Sequence, residues 1–282
     1  MTTTHYRFIE PLDVLFLRGN RLFGDPGSYG ESLVPPWPSV AAGTLRSRIL
    51  ADDGVDLADF ARGALTHPQL GTPERPGAFA VTAFHLARRG ADHVEALMAP
   101  PADLVISETQ AGALEVCALS PTQLTGGGGL ASSYPLPWLP VLAQAGRSKP
   151  TGGQWLTADG WRRYLAGDTP SSSDLVASGD LWAIDPRVGV GLDAATRRAS
   201  DGRLFSVQAV ALRKREHGKE DKFDVGFLAA ITGVEPPAQG TLRLGGDGRA
   251  AAIHAVDYRP PEPDYAAIAA AGRCRLVLTS PG

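Results

Sequence analysis

The chain of 282 residues predicts an α+β fold, on three observations. Its apolar residues fall in many short runs that alternate with polar or small ones, the period of half-buried strands. Helical spacing is confined to a few short stretches. No period of 20 to 50 residues recurs, which removes solenoids and propellers.

In chain order, HYRFIEPLDVLFL (5–17) puts Tyr6 and Phe8, then Leu12, Val14 and Phe16, on alternating positions, so it reads as a strand interrupted at Pro11. The glycine- and proline-rich stretch RGNRLFGDPGSYGESLVPPWP follows, a loop whose backbone can approach a ligand closely and which carries Arg18, Arg21, Phe23 and Gly24. Ser39 is the expected N-cap of a helix through VAAGTLRSRIL, where Val40, Ala41, Thr44, Leu45 and Ile49 make the apolar stripe and Arg46 lies off it. FAVTAFHLA (79–87) reads as a strand, and another follows the Pro100-Pro101 break. Between Thr122 and Gly153 the composition shifts to Gly, Pro and Ser, a domain junction or mobile loop, with Trp138 and Trp155 as candidates for a partner contact. Thr157 caps a helix, ADGWRRYLA, that Gly167 ends. FDVGFLAAIT, then TLRLGGDGRAAAIHAVDY around a glycine turn, and finally RCRLVLTSPG, read as strands.

Composition is that of a soluble globular chain, with 43% hydrophobic and 20% charged residues and no apolar run approaching the ~18 residues of a membrane span. The N-terminus has neither a basic nor an apolar leader region, which predicts a cytoplasmic protein. Cys117 and Cys274 are too few for a disulfide framework and read as small core residues.

The best functional clue is RVGVGLDAATRRASDGRLFSVQAVAL, from Arg187 to Leu212: strand, basic loop, strand, with turn chemistry assigned to Asp201-Gly202. Between residues 187 and 215 seven basic residues, among them Arg187, Arg197, Arg198 and Arg203, face only Asp193 and Asp201, whereas the whole chain carries a net charge of −3. Arginine presents a planar fork to phosphate, so this hairpin suits a polyanion; the competing reading is a solvated surface hairpin. Gly189-Val190-Gly191-Leu192-Asp193-Ala194 fits a dinucleotide fingerprint in letters alone, because a basic loop and a strand follow where a helix is required. Gly245-Gly246-Asp247-Gly248-Arg249 lacks the paired carboxylates of two-metal chemistry and reads as backbone N–H groups and Arg249 offered to phosphate, or as an ordinary tight turn. None of the six histidines has a partner at metal-ligand spacing.

Four separated segments together resemble one family. They are EPLDVLFLRGNRLFG with PPWPSVAAGTLRSRIL, then APPADLV, then the 187–212 hairpin, then LRLGGDGRAA with LVLTSPG. The family is the RAMP-superfamily subunit of the type III-B CRISPR effector, the Cmr complex, that caps the 5′ end of the guide RNA. The resemblance implies two ferredoxin-like, RRM-related domains with antiparallel sheets and inserted loops: an N-terminal one over 1–121, the junction at 122–153, and a C-terminal one over 154–282. Family members run on past the LTSPG position through a Gly/Trp-containing tail, so the resemblance leaves two expectations for the last domain: truncation at Gly282, or a final edge completed differently. It further implies a non-catalytic role without cofactor or metal, and an RNA site drawn from Arg18, Arg21, Phe23, Gly24, Arg46, Arg187, Arg197, Arg198, Arg203, Gly245, Gly246 and Arg249. The partners it implies are the crRNA 5′ tag, the large palm-domain subunit and the adjacent backbone RAMP subunit, with target RNA reached through the complex. The alternative is a metal-independent crRNA-processing endoribonuclease with His217 or His254 as general base.

Overall fold

Strand-forming segments dominate the computed structural model, which describes residues 3–17, 29–123, 137–144, 148–213 and 223–279. In chain order these give β1 (Thr4–Pro11), β2 (Tyr29–Gly30), α1 (Pro38–Asp52), α2 (Leu57–Ala61), β3 (Ala80–Arg89), β4 (Val94–Leu97), β5 (Leu104–Glu108), β6 (Leu114–Ala118), β7 (Ser120–Gln123) and β8 (Trp138–Val141). There follow β9 (Gln154–Leu156), α3 (Ala158–Ala166), β10 (Leu175–Ala177), α4 (Ser178–Leu181), β11 (Trp182–Leu192), β12 (Ala199–Leu212), β13 (Asp224–Thr232), β14 (Gln239–Arg243), β15 (Ala250–Ala255) and α5 (Tyr265–Ala271).

The described residues divide into two compact units, one from Met1–Ala96 with Gly179–Arg259, the other from Leu97–Ser178 with Pro260–Thr279. The first is built on a six-stranded sheet of order β14-β15-β1-β13-β3-β4. Its central four strands, β15-β1-β13-β3, pair antiparallel throughout and have the ferredoxin-like order, with α1 as the crossover from β1 to β3. Strands from both sides of the 122–153 stretch therefore share one sheet. In place of a second crossover helix, β13 leads to β14 and the β14–β15 hairpin. Arg7 pins this connection: its guanidinium donates to the carbonyls of Pro236 (2.6 Å), Pro237 (2.8 Å) and Tyr6 (2.9 Å). Burial lowers the Arg7 pKa, with Glu235 opposing the shift.

Alternation along β1 sends Ile9 to one face, shared by register with Phe227, Ile253 and Gly240. This is the face α1 covers, because a Cβ at Gly240 would lie 2.9 Å from the Arg48 guanidinium, which continues to the Thr241 carbonyl. Ala41, Thr44, Leu45, Ile49 and Leu50 are the buried residues of α1. The opposite face carries Phe8, Glu10, His85, Arg89, Asp224 and His254. Arg89 meets Glu10 at 2.6 Å and Asp224 at 3.5 Å and lies over the ring of Phe8. Phe8 is fully buried, so this face is not an exposed aromatic platform.

The second unit holds three antiparallel strand pairs, β5–β6, β7–β8 and β9–β10, with α3. Thr157 caps α3, accepting from the Gly160 N–H, and Gly167 ends it in the left-handed region at φ 92°. Trp155 is buried and donates to Ser178 Oγ, while Trp138 is exposed.

Some local expectations are corrected. Ser39 is not a cap: Pro38, whose fixed φ suits the first helical position, starts α1, and Trp37 precedes it without a side-chain cap. RCRLVLTSPG forms no strand over its described residues, 273–279; Leu276 and Leu278 are exposed, and Arg275 pairs with Asp103 at 2.7 Å. Cys117 is half-buried and Cys274 exposed, so neither is a core residue.

Candidate nucleic-acid interface

The 187–212 segment forms a long two-stranded arm. β11 and β12 pair antiparallel from Trp182–Leu212 to Val190–Leu204, and Leu192 resumes pairing at Ala199. The turn falls at Asp193–Arg198, not at Asp201-Gly202, because Asp193 itself organises it. Its Oδ1 accepts from the N–H of Thr196 (2.7 Å), the Thr196 hydroxyl (2.8 Å) and the N–H of Ala195 (3.1 Å). Those bonds to Thr196 and then Ala195 hold its carboxyl below the usual range. Its N–H and carbonyl also bond Arg198 and Arg197, both at 2.8 Å. Asp201 and Gly202 instead occupy the irregular stretch of β12 that faces Gly191.

Arg197, in the left-handed region at φ 55°, and Arg198 thus stand exposed at the tip, with no ion pair among the described residues. Arg187 differs, since both its Nε and Nη2 donate to Asp185 Oδ2, at 2.9 and 2.8 Å. The two glycines of the GVG run have a steric reason. A Cβ at Gly189 would strike the Phe205 ring, and one at Gly191 would come within 2.9 Å of the Arg203 side chain, so each glycine is the floor beneath its cross-strand neighbour.

At the base of the arm, Val207 and Ala209 pack with Val14 and Phe16, and Leu15 exchanges backbone bonds with Val210 at 2.9 and 2.8 Å. Phe16 is also where the glycine turn docks. Its carbonyl accepts from the Gly246 N–H (2.8 Å), and a Cβ on Gly245, at φ 75°, would lie 2.7 Å from that oxygen. The Arg249 guanidinium sits 4.8 Å from the centre of the Phe16 ring and 3.1 Å from Asp13. The Leu17 carbonyl accepts from Leu33 N–H at 2.7 Å, closing the ends of the first loop beside this junction. Phe16 therefore brings together the arm, the 245–249 turn and the entry to the loop. Arg18, Arg21, Phe23 and Gly24 themselves lie outside the described residues. Arg46 projects from α1 over the ring of Phe79, at the entry to β3, and no hydrogen bond, ion pair or ring contact joins it to the Phe16 junction among the described residues.

The family model for the CRISPR-associated protein Cas_Cmr3 matches residues 7–282. The chain belongs to the Cas_Cmr3 family. No curated protein sequence matches it significantly. Among solved structures, this Cas_Cmr3 chain is similar to chains of two cryo-EM structures of the Type III-B Cmr-beta, one bound to cognate target RNA and AMPPnP, the other to cognate target RNA. TM-scores are 0.41 and 0.39 at 14% and 13% identity; 90% of this chain is covered in each match, and it spans 64% of the length of those chains.

Two residues of this Cas_Cmr3 chain, Phe16 at the base of the arm and Asp193 at its tip, escape a reading of the sequence. Phe16 looks like one more alternating strand position, and its dual role depends on a turn 230 residues away in sequence. Asp193 was countable only as an acid among arginines; the signal for its turn was the Thr three positions later. Of the two histidines considered as bases, His254 lies in β15 with Nε2 buried 3.4 Å from Glu10 Oε2, and His217 lies outside the described residues.

Proposed function

We propose that this chain is a non-catalytic RNA-binding subunit of a type III-B CRISPR-Cas interference complex, in which it caps the repeat-derived 5′ tag of the crRNA and links the large palm-domain subunit to the backbone of the complex. The observation that carries this reading is the tip of the arm: adjacent arginines held by an aspartate-centred turn and free of ion pairs among the described residues. The arm's base meets a glycine turn and the ends of an arginine-bearing loop at Phe16. Single-stranded RNA is held by phosphate contacts, stacking and close backbone approach, which is the chemistry these parts offer.

The test is to titrate labelled guide RNA carrying its repeat-derived tag into the purified chain, in EDTA, alongside the same RNA with a scrambled tag. Tighter binding of the intact tag without cleavage is expected. Site-specific cleavage abolished by His254→Ala or His217→Ala overturns the reading in favour of a metal-independent endoribonuclease, and equal binding of both RNAs removes the tag from it.

A further inference from the structure

The face of the arm opposite Phe205 and Arg203 has no role in the RNA reading. By the strand register, Pro186, Val188 and Val190 of β11 share that face with Gln208, Ser206 and Leu204 of β12, and alternation adds Ile184 and Leu192. Asp185, Arg187 and Arg203 all point the other way. Around Ser206 and Gln208, the regularly paired part of this face is aliphatic and left in water: Ile184 is 42% exposed, Val188 70%, Val190 44% and Leu204 60%, with Leu192, 61% exposed, beyond the irregular stretch. Five such side chains on one face of a two-stranded arm make an apolar patch of roughly 500 Å², toward the upper end of the largest patch found on an ordinary monomer, a patch that is often functional.

We propose that this face docks onto an apolar surface of another protein subunit, while the arginine tip remains free for RNA; the inference rests on the proposed place of the chain in a multisubunit complex. Chemistry selects the occupant. RNA needs cations for its phosphates or flat rings for its bases, and this face offers neither. Strand addition along the free edge of β11 is opposed by Pro186, which removes a backbone donor from the middle of the strand. A second copy is disfavoured by area. Two such patches would bury about 1,000 Å² in total, short of the ~1,200–2,000 Å² of a stable interface, whereas a different subunit can add contacts around the patch. The outcome is a division of labour across one thin ribbon: aliphatic side chains toward protein, arginines at the tip toward RNA.

The experiment uses the full chain with Val188→Asp and Leu204→Asp, and separately the milder, strand-compatible Val188→Thr and Leu204→Thr, each checked for an unchanged melting temperature. Each version is co-expressed with the other subunits of its complex and guide RNA, and its occupancy in the purified assembly is measured by native mass spectrometry. RNA binding by the isolated chain is measured in parallel. The expected result is a loss of occupancy of about tenfold or more for the aspartate pair and a smaller loss for the threonine pair, with RNA affinity of the isolated chain unchanged within about twofold. Wild-type occupancy in the aspartate pair overturns the inference and leaves the RNA reading standing. Loss of RNA affinity by the isolated aspartate pair overturns it by making the face an RNA contact. A wild-type dimer broken by the aspartate pair overturns it in favour of a second copy. Absence of the wild-type chain from the assembly overturns both it and the proposed function.

Discussion

Replacing Arg197 and Arg198 together by alanine tests whether the tip of the arm touches phosphate. The tip is held by the side chain and backbone of Asp193, not by either guanidinium, so its shape survives the change. Alanine pays no more than arginine for the left-handed backbone at position 197, φ 55°. Folding stability should accordingly stay within about 0.5 kcal/mol of wild type. Each cation lost from a single-strand contact lowers the slope of log K against log salt by roughly 0.7, so the pair should flatten it by about 1.4. Across a fourfold rise in salt, wild type would lose about sevenfold more affinity for tagged guide RNA than the variant. Arg187→Ala is the internal control. Its guanidinium is already paired to Asp185, so it should change the slope by clearly less than about 0.7. Changes in the tag bases should weaken wild type and variant by similar factors, because phosphate contacts position and base edges specify. Fluorescence anisotropy across a salt series, with thermal melts alongside, reads all of these. A slope unchanged by the double substitution, with the fold intact, would refute the reasoning.

Arg7→Leu should destabilise the first unit by about 2–4 kcal/mol in urea denaturation, because it strands the carbonyls of Pro236 and Pro237 without their buried donor; Arg7→Lys should recover little, lacking the fork that reaches both. His85, whose pKa burial lowers from the ordinary 6.5, should contribute a loss of stability in acid. Below that value the unfolded chain takes up a proton that the folded one resists, so stability falls as pH drops under 6.5, at no more than about 1.4 kcal/mol per pH unit for one proton. Denaturation of His85→Gln across the same pH range should show a shallower decline, and an identical one would exclude His85 as a source.

What the sequence made legible was local. Thr157 and Gly167 mark the two ends of α3, and strict alternation marks both strands of the arm, because each signal lies within a few residues of the structure it produces. Where two local signals competed, the stronger geometry won: Pro38 displaced Ser39 at the start of α1, and the side chain of Asp193 took the turn from Asp201-Gly202. Alternation in 273–279 was real, yet a strand needs a partner edge, and among the described residues none is paired to it. The Phe16 junction was beyond reach for the same reason. Whether Arg249 lies near the first loop depends on β1 pairing with β15, and no pattern within either segment announces the other.

That pairing also sets a schedule for synthesis. β1 lies at the centre of its sheet, between two strands that leave the ribosome more than 200 residues later. At roughly 5–20 residues per second, the N-terminal strand waits on the order of 10 to 50 seconds before either neighbour exists. Through that interval Phe8 and Ile9, both fully buried in the finished sheet, have no native cover from β13 or β15. The stretch Leu97–Ser178, continuous in sequence, is made within that interval, while Pro260–Thr279, the rest of its unit, comes only after β15. The nascent chain thus carries an uncovered apolar strand through more than 200 residues of its translation, and a chaperone that binds short apolar segments would find a target here, far in sequence from the residues that finally conceal it.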